Sequence, residues 1–469
     1  MKIKANYRKH PLESLNGNPL IEAIELILTE SMLIDKLTHK PNFDDCFWEV
    51  GELFQQVLLK RMDSIHIPSR YVFSLYNKFM SLILDGYSKY SPMSPETTKL
   101  LMSEAQSIRQ DTSLSQRSID RTTAPSVLVH GHSGAGKTKT IRSVLNVIPQ
   151  VIEHHEYEEK PFRQDQLVWV SFDLPSTPST KGLALNFFSA VDDALGTDYY
   201  EQWKDKSHVS VERHLGQMRI IALTHHLGLV HIDELQFLLK YRKYKEAPSF
   251  TTIEALFNKL GIPLVLSSTT SGRNIFLSDS QRPDFTTTRR LLTDREYQIS
   301  LCKVDSPFYQ SFFEALFPAE LCTGGIQPGK QFKELFHYLT CGLPAMMTRL
   351  ASLHHDTIAQ LINKNPEKAT SYRTDDETRL KMVYENQFKL ISRALANLRA
   401  GNIPEFEGEI DKADTKTPAL SDNEVKQLAA AKREKMKKAL PTLVPDPLGI
   451  PPVQSSQSGE DTHVQKGGN

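Results

Sequence analysis

The eight residues Gly131-His132-Ser133-Gly134-Ala135-Gly136-Lys137-Thr138 fit the pattern G-x-x-x-x-G-K-[ST] and follow directly on the short apolar run Ser126-Val127-Leu128-Val129-His130. Behind them, Lys137 to Ile148 carries a helical period that Pro149 ends. Strand, glycine turn and helix in that order constrain the fold more than any other feature of the chain. Glycines let the backbone bend until successive N–H groups face one point, and the helix N-terminus adds partial positive charge there. The spacing predicts a cradle for a nucleoside triphosphate, with Lys137 reaching the β- and γ-phosphates and Thr138 offering its hydroxyl to Mg²⁺. Gly131, Ser133, Gly134, Ala135, Gly136, Lys137, Thr138 and Lys139 are expected to line the nucleotide.

A second segment answers the first. Leu227-Gly228-Leu229-Val230-His231-Ile232-Asp233-Glu234 reads as an apolar strand ending in two adjacent carboxylates. Such a pair repels itself unless each member has a separate task. Asp233 is placed to complete the Mg²⁺ shell with Thr138, and Glu234 to polarise a water for in-line attack on the γ-phosphate. Three further buried-strand patterns, Gln166–Phe172, Ile262–Ser268 and Tyr297–Leu301, are separated by helix-length sequence. Alternation of this kind predicts an α/β fold with a five-stranded parallel sheet and the nucleotide at the strands' C-terminal ends. Thr269, just past one of those ends, is the candidate for sensing the γ-phosphate, although a strand-capping turn explains the polar run Ser267–Thr270 almost as well.

Composition agrees without sharpening this. The chain has 469 residues, more than one ordinary domain, and 39% hydrophobic content suffices for real cores. Lys plus Arg equal Asp plus Glu at 56 each, so no bulk positive field advertises nucleic acid. No early apolar run suits a signal peptide or a membrane span. Cys46, Cys302, Cys322 and Cys341 are scattered without C-x-x-C spacing, which suggests neither a disulfide framework nor a zinc site and fits a reducing cytoplasm. The histidine pairs at 154–155, 225–226 and 354–355 lack H-E-x-x-H geometry and read as surface residues.

Four regions are expected. Residues 1–118 look helical, with Val72, Leu75, Tyr76, Phe79, Leu82 and Ile83 on one face, and form a partner-binding region. Residues 119–301 form the α/β nucleotide domain. Residues 302–400 turn helical again, with Phe332, Leu335, Phe336 and Leu339 on one face and a break at Gly342-Leu343-Pro344, as a small lid. In 401–469, Ser421-Asp422-Asn423-Glu424 caps a charged helix through Lys438, and a Pro-rich tail from Pro441 is expected to be disordered.

An α/β P-loop domain followed by a helical lid is the layout of AAA+ ATPases, and within them the chain resembles the TnsC/TniB family, ATP-dependent regulators of certain DNA transposons. The residues that carry the resemblance are Gly131–Thr138, the tetrad Asp233-Glu234-Leu235-Gln236, the strand Ile262–Ser268 and the upstream Asp85-Gly86-Tyr87-Ser88-Lys89-Tyr90-Ser91-Pro92, where Tyr90 stands for the family's arginine. His231 also departs, where the family keeps an aliphatic residue. The resemblance implies ATP hydrolysis with Mg²⁺ and a homo-oligomeric ring or helical filament. An arginine, Arg289 or Arg290 with Arg273 and Arg282 as rivals, would reach a neighbour's nucleotide, and Arg349 on the lid would touch its own. It implies double-stranded DNA as a partner, with Thr180 and Lys181 at the backbone-tracking position and Arg213 a further candidate. A transposase and a target selector of the TniQ/TnsD type would be the protein partners, the tail segment Leu443–Leu448 docking on the transposase. Net neutrality is no objection to DNA. About six subunits each neutralising one or two phosphates make roughly six to twelve contacts and a salt slope of order −5 to −11. Two other readings stay open: a motor or loader acting on a helicase or secretion apparatus, and a nucleotide-switched signalling NTPase.

Overall fold

The computed structural model describes residues 2–43, 45–89, 91–109, 125–206, 209–241, 253, 262–276 and 296–407. Eight strands lie among them. β1 (Lys2–Lys4), β3 (Val151–Tyr157) and β4 (Lys160–Leu167) form a small sheet, and β2 (Ser126–Gly131), β5 (Trp169–Asp173), β6 (Leu229–Asp233), β7 (Leu264–Ser268) and β8 (Glu296–Ile299) form the main one. Every pairing in the main sheet is parallel and the order is β5-β6-β7-β2-β8. β2, β6 and β7 are buried along their whole length, which is why they read as continuous apolar runs rather than as alternating ones. The five-stranded parallel α/β architecture is the one the sequence predicts.

Strand order places the chemistry. β2 lies between β7 and β8, so the glycine turn leaves the sheet where the connections diverge to opposite sides. That is the crevice in which open α/β sheets bind ligands. β6, ending in Asp233, is two strands away, with the Ser267–Ser268 end of β7 between them.

Three expectations are corrected. The run Gln166–Phe172 is not one strand: Leu167 ends an antiparallel hairpin with β3, and the chain passes to the main sheet at Trp169. Val168, whose N–H donates to the Gln150 carbonyl, is the point of transfer, and an uninterrupted apolar run cannot show it because both sheets bury their share. The N-terminal region is not wholly helical, since Lys2–Lys4 pairs in parallel with β3. Nor are the histidine pairs surface residues. His154 and His226 are buried, His354 and His355 completely so, and of the six only His155 is exposed.

The helical stripes form as their periods predict. The helix Val72–Ser88 buries Val72, Leu75, Tyr76, Phe79, Leu82 and Ile83. After β8, the helices Pro307–Leu316, Lys330–Thr340 and Pro344–Lys364 pack around Phe313, Phe317, Phe332 and Phe336, with Phe313 and Phe317 stacked at 4.6 Å. Full burial of each such ring is worth about 1.5–3 kcal/mol. The break at 342–344 has a plain cause: Cys341 and Gly342 both take left-handed backbone, and Pro344 opens the next helix at its first turn. At Gly342 a Cβ would stand 2.4 Å from the Cys302 carbonyl oxygen, so no other residue fits. Among the described residues no helix is long and apolar enough to cross a membrane.

Candidate nucleotide-binding site

The glycines of the turn answer two different steric demands. A Cβ at Gly131 would lie 2.5 Å from the Ile299 carbonyl oxygen of β8, whereas Gly134 and Gly136 have φ of +80° and +89°, which L side chains rarely adopt. Lys137 begins the helix Lys137–Asn146 and is buried, its Nζ donating to the His132 carbonyl at 3.0 Å. Burial lowers its pKa, and Asp233, Glu407 and Glu234 pull the other way. Thr138 Oγ1 donates to Asp233 Oδ2 at 2.6 Å across the gap between β2 and β6. Two motifs 95 residues apart thus meet at one hydroxyl–carboxylate contact.

Asp233 is buried yet ionised. Burial pushes its pKa up, but His231 and hydrogen bonds from Ser267 Oγ, Thr138 Oγ1 and the Glu234 N–H hold it below the ordinary aspartate value. Glu234 has φ +60°, a left-handed conformation costing a non-glycine residue on the order of 1–3 kcal/mol unless its surroundings enforce it. Burial first, and the Asp233 charge second, raise its pKa, and Gln236 Nε2 donates to its Oε2. The paired carboxylates therefore differ in proton affinity in opposite directions, as an ion ligand and a proton acceptor require. Among the described residues no group of three or more His, Cys, Asp or Glu is placed to hold a metal. One hydroxyl and one carboxylate in contact nevertheless fit Mg²⁺, which takes hard oxygens, keeps several waters and completes its shell from substrate phosphates.

These groups line a cleft of about 1460 Å³. Ser133 to Thr140, Asp233, Glu234, Gln236 and Thr269 form one wall, the segments 65–71 and 299–303 another, and Pro344, Ala345, Thr348 and Arg349 a third. The Ala345 N–H donates to the Gly134 carbonyl at 3.3 Å, so the helix after the Gly342 break bears directly on the glycine turn. Arg349 lines the cleft with its guanidinium 5.3 Å from the Phe388 ring centre. Lys139 lies on the cleft wall and donates across to the Ile65 and Asp63 carbonyls at 2.8 and 3.3 Å, residues that line the same cleft. The Thr269 hydroxyl is 3.1 Å from Ser271 Oγ and accepts from the Gly272 N–H, the capping turn that the sequence left open as its other role.

The remaining candidates scatter. Arg273 pairs with Glu296 at 2.7 Å, and His130 Nε2 approaches the same carboxylate at 2.8 Å. Arg282, Arg289 and Arg290 lie outside the described residues, as do the helix expected after Ser421 and the segment Leu443–Leu448. Thr180 is buried in the first turn of the helix Thr180–Leu195, Lys181 Nζ donates to the Lys204 carbonyl at 2.8 Å, and Arg213 is exposed on the helix Val211–Thr224. None of these three lines the cleft.

Two participants escape motif reading. Glu407, at the end of the helix Ile403–Glu407, accepts from the Ser271 N–H at 2.8 Å and the Thr270 N–H at 3.3 Å, with His132 Nδ1 at 3.5 Å. Burial raises its pKa, but these donors outweigh it and bring the carboxyl down to about 2. His231, which the sequence marked only as an interruption, stands between Ser171 Oγ at 2.8 Å and Ser267 Oγ at 2.9 Å. Its hydrogen-bonding neighbours on β5 and β7 were the missing signal. Burial lowers its pKa to about 4, against the pull of Asp233.

Residues 120–276 match the family model of an AAA domain, a stretch that holds both the glycine turn and the acidic strand end. The match and the site geometry support a P-loop AAA+ ATPase. Among solved structures, a Walker-type ATPase of Pyrococcus abyssi is similar over 72% of this chain and 88% of its own, at 13% identity and a TM-score of 0.35. Drosophila ORC bound to DNA is similar over 72% of each chain at 14% identity, with a TM-score of 0.28. A structure describing katanin self-assembly covers 62% of this chain and 82% of its own at 10% identity, with a TM-score of 0.28. No curated protein matches the chain.

Proposed function

We propose that this chain is an ATP-hydrolysing switch of DNA transposition. ATP locks subunits together around target DNA, the assembly links a selector of the TniQ/TnsD type to the transposase, and hydrolysis releases it. The observation that carries the hydrolytic part is the 2.6 Å contact of Thr138 Oγ1 with Asp233 Oδ2, with Glu234 beside it. Lys137 binds the terminal phosphates, and the turn from Gly131 to Gly136 cradles them with backbone N–H groups. Thr138 and Asp233 hold Mg²⁺, which when bound neutralises charge on the β- and γ-phosphates. Glu234, its proton affinity raised, orients a water and takes its proton. Arg349 closes over the nucleotide from the third wall, Thr269 reports the γ-phosphate, and Arg289 or Arg290 reaches a neighbouring subunit's site.

The transposition part rests on the family resemblance, and one contact ties the resembling upstream segment to the ATPase sheet. Tyr87, inside the resembling segment Asp85–Pro92, donates its hydroxyl to the His226 carbonyl at 2.7 Å, three residues before β6. The segment is thereby joined to the strand that ends in Asp233. Electron microscopy of the purified protein with duplex DNA tests the reading. ATP or a slowly hydrolysed analogue is expected to give rings or filaments on DNA, ADP to give none, and Glu234→Gln to freeze them in place. A monomer indifferent to DNA in every nucleotide overturns it.

A further inference from the structure

His231 and Asp233 lie two residues apart on β6 and so share one face of the strand. In the parallel register His231 stands opposite Ser171 of β5 and Val265 of β7, and Ser267 follows two residues on. Four polar side chains consequently form a continuous row in the middle of the sheet: Ser171 Oγ to His231 Nδ1 at 2.8 Å, His231 Nε2 to Ser267 Oγ at 2.9 Å, and Ser267 Oγ to Asp233 Oδ1. Asp233 Oδ2 then meets Thr138 Oγ1. His231 and Ser267 are both completely buried.

The direction of every bond in the row follows from its end. An ionised carboxylate only accepts, so Ser267 commits its single hydroxyl proton to Asp233. Its oxygen is left to accept, and the donor is His231 Nε2–H. Nδ1 of the neutral ring then accepts from the Ser171 hydroxyl. Turning the Ser267 hydroxyl the other way would leave its oxygen against Asp233 Oδ1 with no proton between them, so the row keeps this direction. The row is therefore a rigid strut with one polarity, anchored on β5 and bearing on one oxygen of Asp233.

We propose that His231 and Ser267 are positioning residues for the metal-holding carboxylate: the proton-ordered row Ser171–His231–Ser267 pins Asp233 Oδ1 and so presents Oδ2 to Thr138 and the metal. This rests on the reading of Thr138 and Asp233 as the Mg²⁺ pair. An aliphatic residue at 231 would leave Ser267 without its donor and let its hydroxyl turn away. Groups that orient a metal ligand are typically worth about 10- to 100-fold in metal affinity.

The test uses the full-length chain with ADP and Mn²⁺ as a spectroscopic substitute for Mg²⁺, unbound Mn²⁺ being counted by electron paramagnetic resonance. His231→Leu and Ser267→Ala are expected to weaken Mn²⁺ binding by about 10- to 100-fold and to raise the Mg²⁺ concentration for half-maximal ATP hydrolysis in step. Binding of a fluorescent ADP in EDTA should be unchanged. His231→Gln, whose amide both accepts from Ser171 and donates to Ser267, should recover most of the loss. Wild-type Mn²⁺ affinity in both His231→Leu and Ser267→Ala overturns the proposal, as does a His231→Gln no better than His231→Leu. Ser267→Ala removes one oxygen and keeps the ring, so it serves where His231→Leu fails to fold. A wild-type chain that binds ADP but gains no Mn²⁺ affinity from it overturns the Mg²⁺ reading itself, a result distinct from the other two.

Discussion

Among the described residues, two places bury imidazoles completely, and they use them differently. His231 in the sheet has both ring nitrogens bonded to hydroxyls, in a row that ends on a carboxylate of the nucleotide cleft. In the helix Pro344–Lys364, His354 donates from Nε2 to the Thr374 carbonyl at 2.7 Å and His355 to the Leu316 carbonyl at 3.0 Å. Neither Nδ1 has a hydrogen-bond partner among the described residues, and His355 packs on the Phe317 ring. Burial keeps all three neutral, with pKa values lowered to about 4, 4 and 3 for His231, His354 and His355. Equal burial and equal charge state thus serve unlike ends. In the sheet the ring transmits orientation to a working group, while among the helices it closes off carbonyls that packing would otherwise strand. Polar residues of the first kind should govern activity, and those of the second stability.

The largest effect that can break this division belongs to the sheet. Glu234→Gln keeps the shape of the side chain and removes its basicity. Hydrolysis is expected to fall by about 10²- to 10⁴-fold, while the melting temperature stays within a few degrees. Phosphate-release kinetics beside thermal melts check both halves. Substantial unfolding in this variant would mean that the carboxylate pair is structural.

Next comes the helical pair. His355→Ala leaves a cavity among Phe317 and its neighbours and an unpaired Leu316 carbonyl, and should cost about 2–4 kcal/mol. Hydrolysis per folded molecule should not change. Denaturant titration gives the first quantity and turnover normalised to active sites the second. Lost turnover in the folded fraction would place this layer in the mechanism as well.

The same pair sets a pH dependence whose sign follows from the lowered pKa values. The unfolded chain binds protons at these histidines below about pH 6.5, and the folded chain does so only near pH 3–4. Stability is therefore full above pH 6.5 and falls as the pH drops through that window, by up to about 1.4 kcal/mol per pH unit for each ring. Replacing both His354 and His355 with Asn should flatten the curve between pH 6.5 and 4, whatever it does to stability at pH 7. An unchanged slope would assign the acid sensitivity to other groups.

What the sequence disclosed follows the same division. Gly131–Thr138 and Asp233–Glu234 were legible because phosphate and metal chemistry demand fixed residue types at fixed spacing, and the chain brings them to 2.6 Å as expected. The parallel sheet was legible because strands covered on both faces must be apolar throughout. The β3–β4 hairpin was not, since His154, His155 and Gln164 interrupt its pattern while Tyr7 and Gln166 complete the hydrogen bonds of His154 from elsewhere. His231 was visible as an anomaly, but its meaning lay in Ser171 and Ser267, 60 residues before and 36 after it. Periodicity detects which face is buried. It does not say which buried polar atoms face each other.

Glu407 is where the two regions touch, and it offers the finest test of the contrast. It ends a short helix that packs beside the helical layer, yet its carboxylate is held by the Thr270 and Ser271 N–H groups and by His132 of the glycine turn. Its pKa of about 2 lies below the unfolded value of 4.5. The ionised form therefore contributes stability above about pH 4.5, and that contribution disappears as the pH falls toward 2. Glu407→Gln keeps one acceptor and most of the shape, so a loss of about 1 kcal/mol is expected at pH 7, with the gap to wild type closing in acid. The removed charge also stood against Lys137, and its loss leaves the ammonium more available to phosphate. A modest tightening of ATP binding, measured with a fluorescent analogue, should accompany the loss of stability. Opposite signs for the two quantities in one variant would show that the contact serves the helical layer at the expense of the cleft. Weaker ATP binding would instead make Glu407 part of the sheet's working set.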